Sequence, residues 1–357
     1  MTTMKPEKRN LPVDTLRGIA CIFLVAYHVV GMNPESGLKL HDGFLKNANE
    51  FLAYIRMPLF TFLSGYVYAW RPYKAGCKKF MKGKIRRLIV PMLFVGTIFA
   101  LFQAFTPGTN SSIADWRFLH IIPVAHYWYI ESLFLIFIMV VLLEHFRFLD
   151  NRIGFGIVFL LAAILNIANA GTPWLGIAGA FYLFPYFLCG VYCFRFPFEY
   201  KYRKTAGYVF LALVILFLVF YGYQNVGGRR SFNALAIGAV SCVSLLFIEL
   251  ESGFLANIGF YSYTIYLFHV FFTAASRIVF KSAGISDIWM LFLLGIIVGV
   301  SGPVIVDLVA SRYSFTRFFL LGKGPRKKTE NFPERSLLLK QLQYALGRNA
   351  SPGMKLQ

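Results

Sequence analysis

Arg17 and His28 are two ionisable residues inside the first long apolar stretch of the sequence, DTLRGIACIFLVAYHVVG (14–31). Ionisable side chains are costly in hydrocarbon, and within membrane-spanning segments they usually mark functional sites. An offset of eleven residues is about three helical turns, so both side chains are predicted on one helix face, ~16 Å apart along the axis. Asp14 precedes Arg17 by one turn and is expected to pair with it. The structural alternatives are an arginine that reaches the membrane surface and a histidine that bonds a neighbouring helix.

Three further ionisable residues lie in other apolar stretches, at a depth similar to that of His28. Arg56 lies early in the stretch FLAYIRMPLFTFLSGYVYAW, Glu131 lies in HYWYIESLFLIF, and His269 lies in YSYTIYLFHVFF. We expect Glu131 to pair with Arg56, because an unpaired carboxylate in an apolar run is costly. Convergence of these groups at one level of the bilayer predicts a buried polar site.

A strongly basic segment separates the second and third apolar stretches. Eight Lys and Arg residues and no acid occur between Arg71 and Arg87. A cytoplasmic loop needs only a few such charges to fix orientation. The additional charge would also suit the phosphates of an anionic cofactor.

The elements that would position these residues are membrane-spanning helices. The chain has 357 residues, of which 57% are hydrophobic and 15% charged, and its mean hydropathy is +0.60. Its apolar residues recur in runs of the length needed to cross ~30 Å of hydrocarbon. We therefore predict an all-α polytopic membrane protein with about ten transmembrane helices. The predicted helices begin near Leu16, Phe51, Leu88, Tyr127, Gly154, Trp174, Ala206, Phe232, Ile258 and Ile288.

The distribution of basic residues predicts that both termini are cytoplasmic. Of the 36 Lys and Arg residues, 27 fall in the segments on that side and 6 in the opposite loops, as the positive-inside rule requires. We therefore attribute the net charge of +20 to membrane orientation and expect no nucleic-acid partner. The predicted organisation is a cytoplasmic segment (1–13), a ten-helix domain (14–311) and a basic cytoplasmic tail (312–357).

The tail segment and the cysteines are the two remaining features of the sequence. The tail segment SLLLKQLQYAL (336–346) fits either an amphipathic surface helix or a disordered basic tail attracted to anionic lipid. The five cysteines show no spacing typical of a metal site or a disulfide framework, so we expect no metal.

The combined motifs resemble the integral-membrane acyltransferases of the acyltransferase 3 family, in its fucose 4-O-acetylase-like branch. The resemblance rests on an arginine, ten residues and a histidine in DTLRGIACIFLVAYH. It also rests on RMPLFTFLSGY, a basic stretch that ends in proline, HYWYIESLF and YSYTIYLFH. It covers roughly residues 14–309. Many such enzymes carry a fused extracytoplasmic esterase-like domain. We see no such domain in this sequence, so we expect direct delivery of the acyl group to the acceptor.

The resemblance implies roles for particular residues. Arg17 and His28 correspond to the arginine and histidine that the family requires for activity, with Asp14 beside them. The family's RxxR pair, implicated in acyl-CoA handling, aligns with Lys84 and Arg87. Lysine at the first position keeps the charge and loses the planar fork. Arg86 could take its place.

The implied reaction moves an acyl group from cytoplasmic acyl-CoA to a glycan or lipid-linked saccharide at the outer face of the plasma (inner) membrane. Acetyl-CoA is the favoured donor, and succinyl remains open. His28 could act as a general base or carry the acyl group covalently. Arg56, Glu131 and His269 are candidates for binding the acceptor or stabilising the oxyanion. The competing classes are a transporter or flippase of a saccharide or lipid-linked precursor, and an inactive membrane scaffold.

Overall fold

The computed structural model describes residues 10–73, 76–106, 115–197 and 201–325, which form helices joined by short connections without a β-strand among them. The α-helices in these ranges are α1 (Leu11–Val30), α2 (Phe44–Phe51), α3 (Ala53–Trp70), α4 (Cys77–Lys84), α5 (Val90–Phe105), α6 (Trp128–His145), α7 (Arg152–Ile167), α8 (Ile177–Arg195), α9 (Arg203–Phe217), α10 (Phe232–Ile248), α11 (Gly253–Phe260), α12 (Ser262–Ser282), α13 (Ile288–Ala310) and α14 (Ser314–Phe319). Shorter helical turns occupy Ile85–Ile89 and Leu218–Gly222 (π) and Trp116–Phe118, Ala125–Tyr127, Trp174–Gly176 and Tyr223–Val226 (3₁₀).

These helices confirm the predicted all-α polytopic class. Each of the ten predicted apolar stretches is helical, and within the described residues seven helical segments are both long and apolar enough to cross a membrane. Those seven are Leu11–Val30, Cys77–Phe105, Ala125–His145, Trp174–Arg195, Arg203–Val226, Ser262–Ser282 and Ile288–Ala310. Of the other three, α7 and α10 are shorter and α3 is less apolar. The count of ten spans and the cytoplasmic termini stay predictions.

The helix α1 begins and ends at residues that favour those boundaries. The Asn10 side chain accepts a hydrogen bond from the Val13 amide at 3.1 Å, which caps the first turn. At the other end Gly31 adopts φ 104°, a conformation that glycine reaches without a steric penalty, and its amide bonds the Tyr27 carbonyl. His28 is therefore fixed in the last turn of α1.

Paired glycines bring two sets of helices into backbone contact. Gly18 of α1 lies against the main chain of Leu255 in α11, and Gly259 of α11 lies against the Asp14 carbonyl. The α3–α8 crossing uses the same arrangement with Gly65 and Gly190. Small residues at such crossings let membrane helices approach closely, because van der Waals packing holds them together there.

The outward faces of the peripheral helices are apolar. On α7, for example, Ile153, Ile157, Leu160 and Ile164 are each more than half exposed. A soluble monomer rarely leaves apolar surface of this extent in water, whereas lipid tails solvate it without cost. These faces agree with a multi-pass membrane protein.

Two segments have more helical structure or packing than the sequence predicts. The basic stretch, interpreted as a loop, is helical from Cys77 and runs through the π-turn into α5. Residues 314–325, predicted as the start of a tail, pack against α5: Phe315 and Phe319 contact Phe94 at ring-centroid distances of 6.1 and 5.4 Å. We call residues 314–325 the C-terminal strap. The predicted features in 1–9 and 326–357, including SLLLKQLQYAL, lie outside the described residues.

Candidate active site

A single uninterrupted helix, α1, carries Arg17 near one end and His28 near the other. The predicted ion pair is present, because Arg17 Nη1 lies 3.2 Å from Asp14 Oδ1. The close α1–α11 crossing holds this end of the helix, since Gly259 faces both Asp14 and Arg17. The geometry of an α-helix then places His28 about 16 Å further along the axis.

Three histidine rings lie in mutual contact at the His28 end of α1. The ring centroid of His28 is 4.7 Å from that of His269 on α12 and 5.7 Å from that of His126, which immediately precedes α6. His126 and His269 are 5.0 Å apart. His28 is half-buried, and the other two rings are buried. The structure therefore brings together the predicted His28 and His269, and adds His126 to them.

The protonation of His269 follows from its hydrogen bonds. Its Nδ1 lies 2.9 Å from both the Ile265 and the Tyr266 carbonyl oxygens. A carbonyl oxygen only accepts hydrogen bonds, so Nδ1 carries the proton and Nε2 of the neutral ring keeps its lone pair. That Nε2 is buried and lacks a hydrogen-bond partner within the described chain. His269 therefore presents a buried hydrogen-bond acceptor, its Nε2, and the two carbonyls fix its tautomer.

His126 is the site residue that the sequence analysis missed. Two tyrosines tie its neighbourhood to α12: the Tyr266 hydroxyl donates to the His126 carbonyl, and the Tyr127 hydroxyl donates to the Leu267 carbonyl at 2.8 Å. Neither ring nitrogen of His126 makes a hydrogen bond of normal geometry with the residues described, although the Tyr266 and Leu267 carbonyls lie near the ring. The sequence feature that could have indicated His126 is its position at the start of the motif HYWYIESLF. The aromatic residues of that motif are also typical of a membrane interface, so the motif alone does not point to a site.

Arg56 reaches the histidine cluster through Tyr27. Its guanidinium carbon lies 4.2 Å from the centre of the Tyr27 ring, and that ring contacts His28 at 4.9 Å. Its Nη2 donates to the carbonyl and side-chain oxygens of Asn49, each at 2.8 Å. Asn49 in turn donates to the Gly31 carbonyl. Arg56 therefore anchors the end of α1 that carries His28.

The predicted pairing of Arg56 with Glu131 is wrong. Both carboxylate oxygens of Glu131 are buried and lack hydrogen-bond partners in the described part of the chain. The Nη2 donor of Arg56 is directed instead to Asn49, which the short helix α2 supplies, and the buried Nε of Arg56 has no partner among the described residues. Glu131 lies beside the turn at Trp174–Gly176, where the neighbouring Ser132 hydroxyl donates to the Gly176 carbonyl at 2.7 Å. Its predicted role in acceptor binding stays a prediction.

The three predicted donor-binding residues form a cluster separate from the histidines. Lys84 is enclosed by aromatic rings, with Nζ 3.3 Å from the centre of the Phe137 ring. Arg87 is exposed. Arg86 is half-buried, and its Nε has no hydrogen-bond partner among the described residues. The guanidinium of Arg86 packs against Gly324 of the C-terminal strap, where an added methyl group would lie 3.2 Å from Nη1.

A pocket of about 300 Å³ opens elsewhere, at the start of α1. Asn10, Val13, Tyr66, Arg203 and Glu249 are among the residues that line it. Among the described residues, the charged ones that line it are Arg203 and Glu249, which form an ion pair with each other. None of the predicted site residues lines this pocket, so we assign it no part in the chemistry.

Comparison with known proteins assigns most of the chain to a family. The family model described as an acyltransferase domain, that of the acyltransferase 3 family, matches residues 10–308. This range contains the histidine cluster, the Arg17–Asp14 pair and the basic cluster. No curated protein and no solved structure gave a significant match.

Proposed function

The chain belongs to the acyltransferase 3 family of membrane acyltransferases, and from this premise we propose that it transfers an acyl group from acyl-CoA to a hydroxyl of a glycan or lipid-linked saccharide. Acetyl is the proposed acyl group, as in the fucose 4-O-acetylase-like branch that the motifs resemble. The plasma (inner) membrane is the proposed location.

The observation that carries this proposal is the environment of His28. Its imidazole is half-buried, contacts two other imidazoles and lies on the same helix as Arg17. In this scheme His28 takes the proton of the acceptor hydroxyl while that oxygen attacks the thioester carbon. The carbon–sulfur bond then breaks, His28 returns the proton to the departing sulfur, and the products are an ester and free CoA. General-base catalysis of this kind contributes about 10² to 10⁴ in rate.

The basic cluster supports an anionic donor. Arg87 is exposed and Arg86 is half-buried, so both guanidinium groups could donate hydrogen bonds to CoA phosphates. Lys84 already contacts aromatic rings, and we propose that it fixes the turn that presents the two arginines.

The test uses membrane vesicles that contain the full chain and radiolabelled acetyl-CoA. We expect base-labile label in the glycan or lipid-linked saccharide fraction, and we expect His28→Ala to abolish it while the protein still inserts and folds. The matched control is His145→Ala, because His145 is an exposed histidine at the end of α6. Label that persists at the wild-type rate in His28→Ala would disprove the proposed role of His28.

A further inference from the structure

The closest pair in the histidine cluster is formed by His28 and His269. Their ring centroids are 4.7 Å apart and their planes are inclined by 64°. His28 approaches from α1 and is half-buried, whereas His269 is fully buried on α12. A neutral imidazole exists as two tautomers, and only one of them presents its lone pair to a given substrate hydroxyl. If His28 acts as a base, a neighbouring group is therefore needed to fix its tautomer.

His269 can make that selection because its own tautomer is fixed. The Ile265 and Tyr266 carbonyls hold its proton on Nδ1, which leaves Nε2 as an acceptor only. In the structure Nε2 has no hydrogen-bond partner among the described residues, although a buried polar nitrogen ordinarily has one. Hydrogen bonds of catalytic groups are often long before substrate binds and tighten in the reacting complex.

We propose that His269 is a positioning residue for His28: its Nε2 accepts the N–H of one His28 nitrogen, and the other His28 nitrogen is thereby left as the base. The inference rests on the proposed acyl transfer. When His28 takes the hydroxyl proton, both of its nitrogens carry hydrogen, and the Nε2 of His269 keeps its bond to the resulting cation. Among the described residues, the other charged or polar groups recorded near His28 are Arg56, Tyr27 and His126.

Two substitutions at position 269 separate this role from a structural one. His269→Asn can keep a donor near Nδ1 for the two carbonyls but removes the acceptor at Nε2. His269→Gln can place an acceptor near Nε2 but loses the donor to the carbonyls. We expect His269→Asn to lower the kcat for acetyl transfer about 100-fold or more, with the KM for acetyl-CoA within about twofold. We expect His269→Gln to keep kcat within about tenfold of wild type. The reverse order would show that His269 only supports the helix, and would overturn the proposal.

A second measurement does not depend on activity. Solid-state nitrogen NMR of histidine-labelled protein in lipid distinguishes the two tautomers of each ring. We expect His28 to be in one tautomer with a hydrogen-bonded N–H in the wild type and in His269→Gln, and in a mixture in His269→Asn. An unchanged His28 signal in His269→Asn, or a change confined to His126, would overturn the proposal. If the wild type transfers no acetyl group, the proposed function fails, and the NMR result still decides whether His269 orders His28.

Discussion

At the scale of single residues, His126 is the most unusual feature of the site. It is 7% exposed, and neither ring nitrogen makes a hydrogen bond of normal geometry in the described residues, with the Tyr266 and Leu267 carbonyls nearby. A buried polar group without a hydrogen bond costs roughly 1–3 kcal/mol. Packing alone would favour an apolar side chain at this position. A ring that contacts both His28 and His269 is better explained by the chemistry of the site.

Replacing this histidine should therefore separate activity from stability. We expect His126→Leu to lower acetyl transfer at least about tenfold and to leave the thermal unfolding midpoint unchanged or higher, because the buried nitrogens are removed. Initial rates with radiolabelled acetyl-CoA and a fluorescence melting curve in detergent measure the two effects. A lower midpoint with unchanged transfer would instead make His126 a packing residue.

Residue pairs were predictable where they lie on one helix. The Arg17–Asp14 pair follows from a three-residue offset, and the side chains lie as expected. Contacts between different helices were harder to predict, because a similar depth in the membrane does not specify how each helix is rotated about its axis. Depth alone therefore predicts a Glu131–Arg56 pair, whereas Asn49 provides the oxygens that Arg56 bonds. Nothing in the local sequence of Asn49 indicates that it approaches Arg56.

At the scale of helices, the α1–α11 crossing sets the position of Arg17. A methyl group on Gly259 would collide with the Asp14 carbonyl and lie 3.0 Å from the Arg17 Cβ. We expect Gly259→Ala to destabilise the protein by about 1–3 kcal/mol through overpacking and to reduce transfer. Gly253→Ala is the matched control, because on the same helix an added methyl group meets no atom within 4 Å among the described residues. Equal melting curves for the two variants would contradict the role of this crossing.

The long helices were predictable, and the short ones were not. An apolar run of bilayer length has few alternatives to a helix, because backbone groups in lipid must bond within the segment. The basic stretch, with its many charges, lacks that signal, and its helix becomes evident only as an extension of α5. The short helices α2 and α11 depend on their contacts, Asn49 with Arg56 and Gly259 with α1, which a single sequence does not show.

At the scale of the whole molecule, the C-terminal strap packs against the helices although it lies beyond the residues that the family model matches. The match ends at residue 308, yet packing continues to the strap. Lys323 Nζ lies 2.6 Å from Asp307 Oδ1, and the buried Asp307 also accepts a hydrogen bond from Thr264 at 2.7 Å. Gly322, at φ 60°, allows the strap to lie directly on Arg86 and Arg87.

Breaking this ion pair should affect both stability and the donor site. We expect Lys323→Met to lower stability by about 1–3 kcal/mol, because Asp307 loses a charged partner in a buried position. We also expect the KM for acetyl-CoA to rise, since the strap packs against Arg86. Lys281→Met, which changes an exposed lysine at the end of α12, is the control. A KM that stays at the wild-type value in Lys323→Met would leave the strap a stabilising element only.

The C-terminal strap also has a practical consequence for work on the purified enzyme. A variant truncated at residue 308, where the family match ends, would lack Lys323, the partner of Asp307. It would also lack Phe319, which packs against the ring of Phe94. Fluorescent reporters and affinity handles are therefore best fused beyond Pro325, and truncation screens for crystallisation are best begun downstream of that proline.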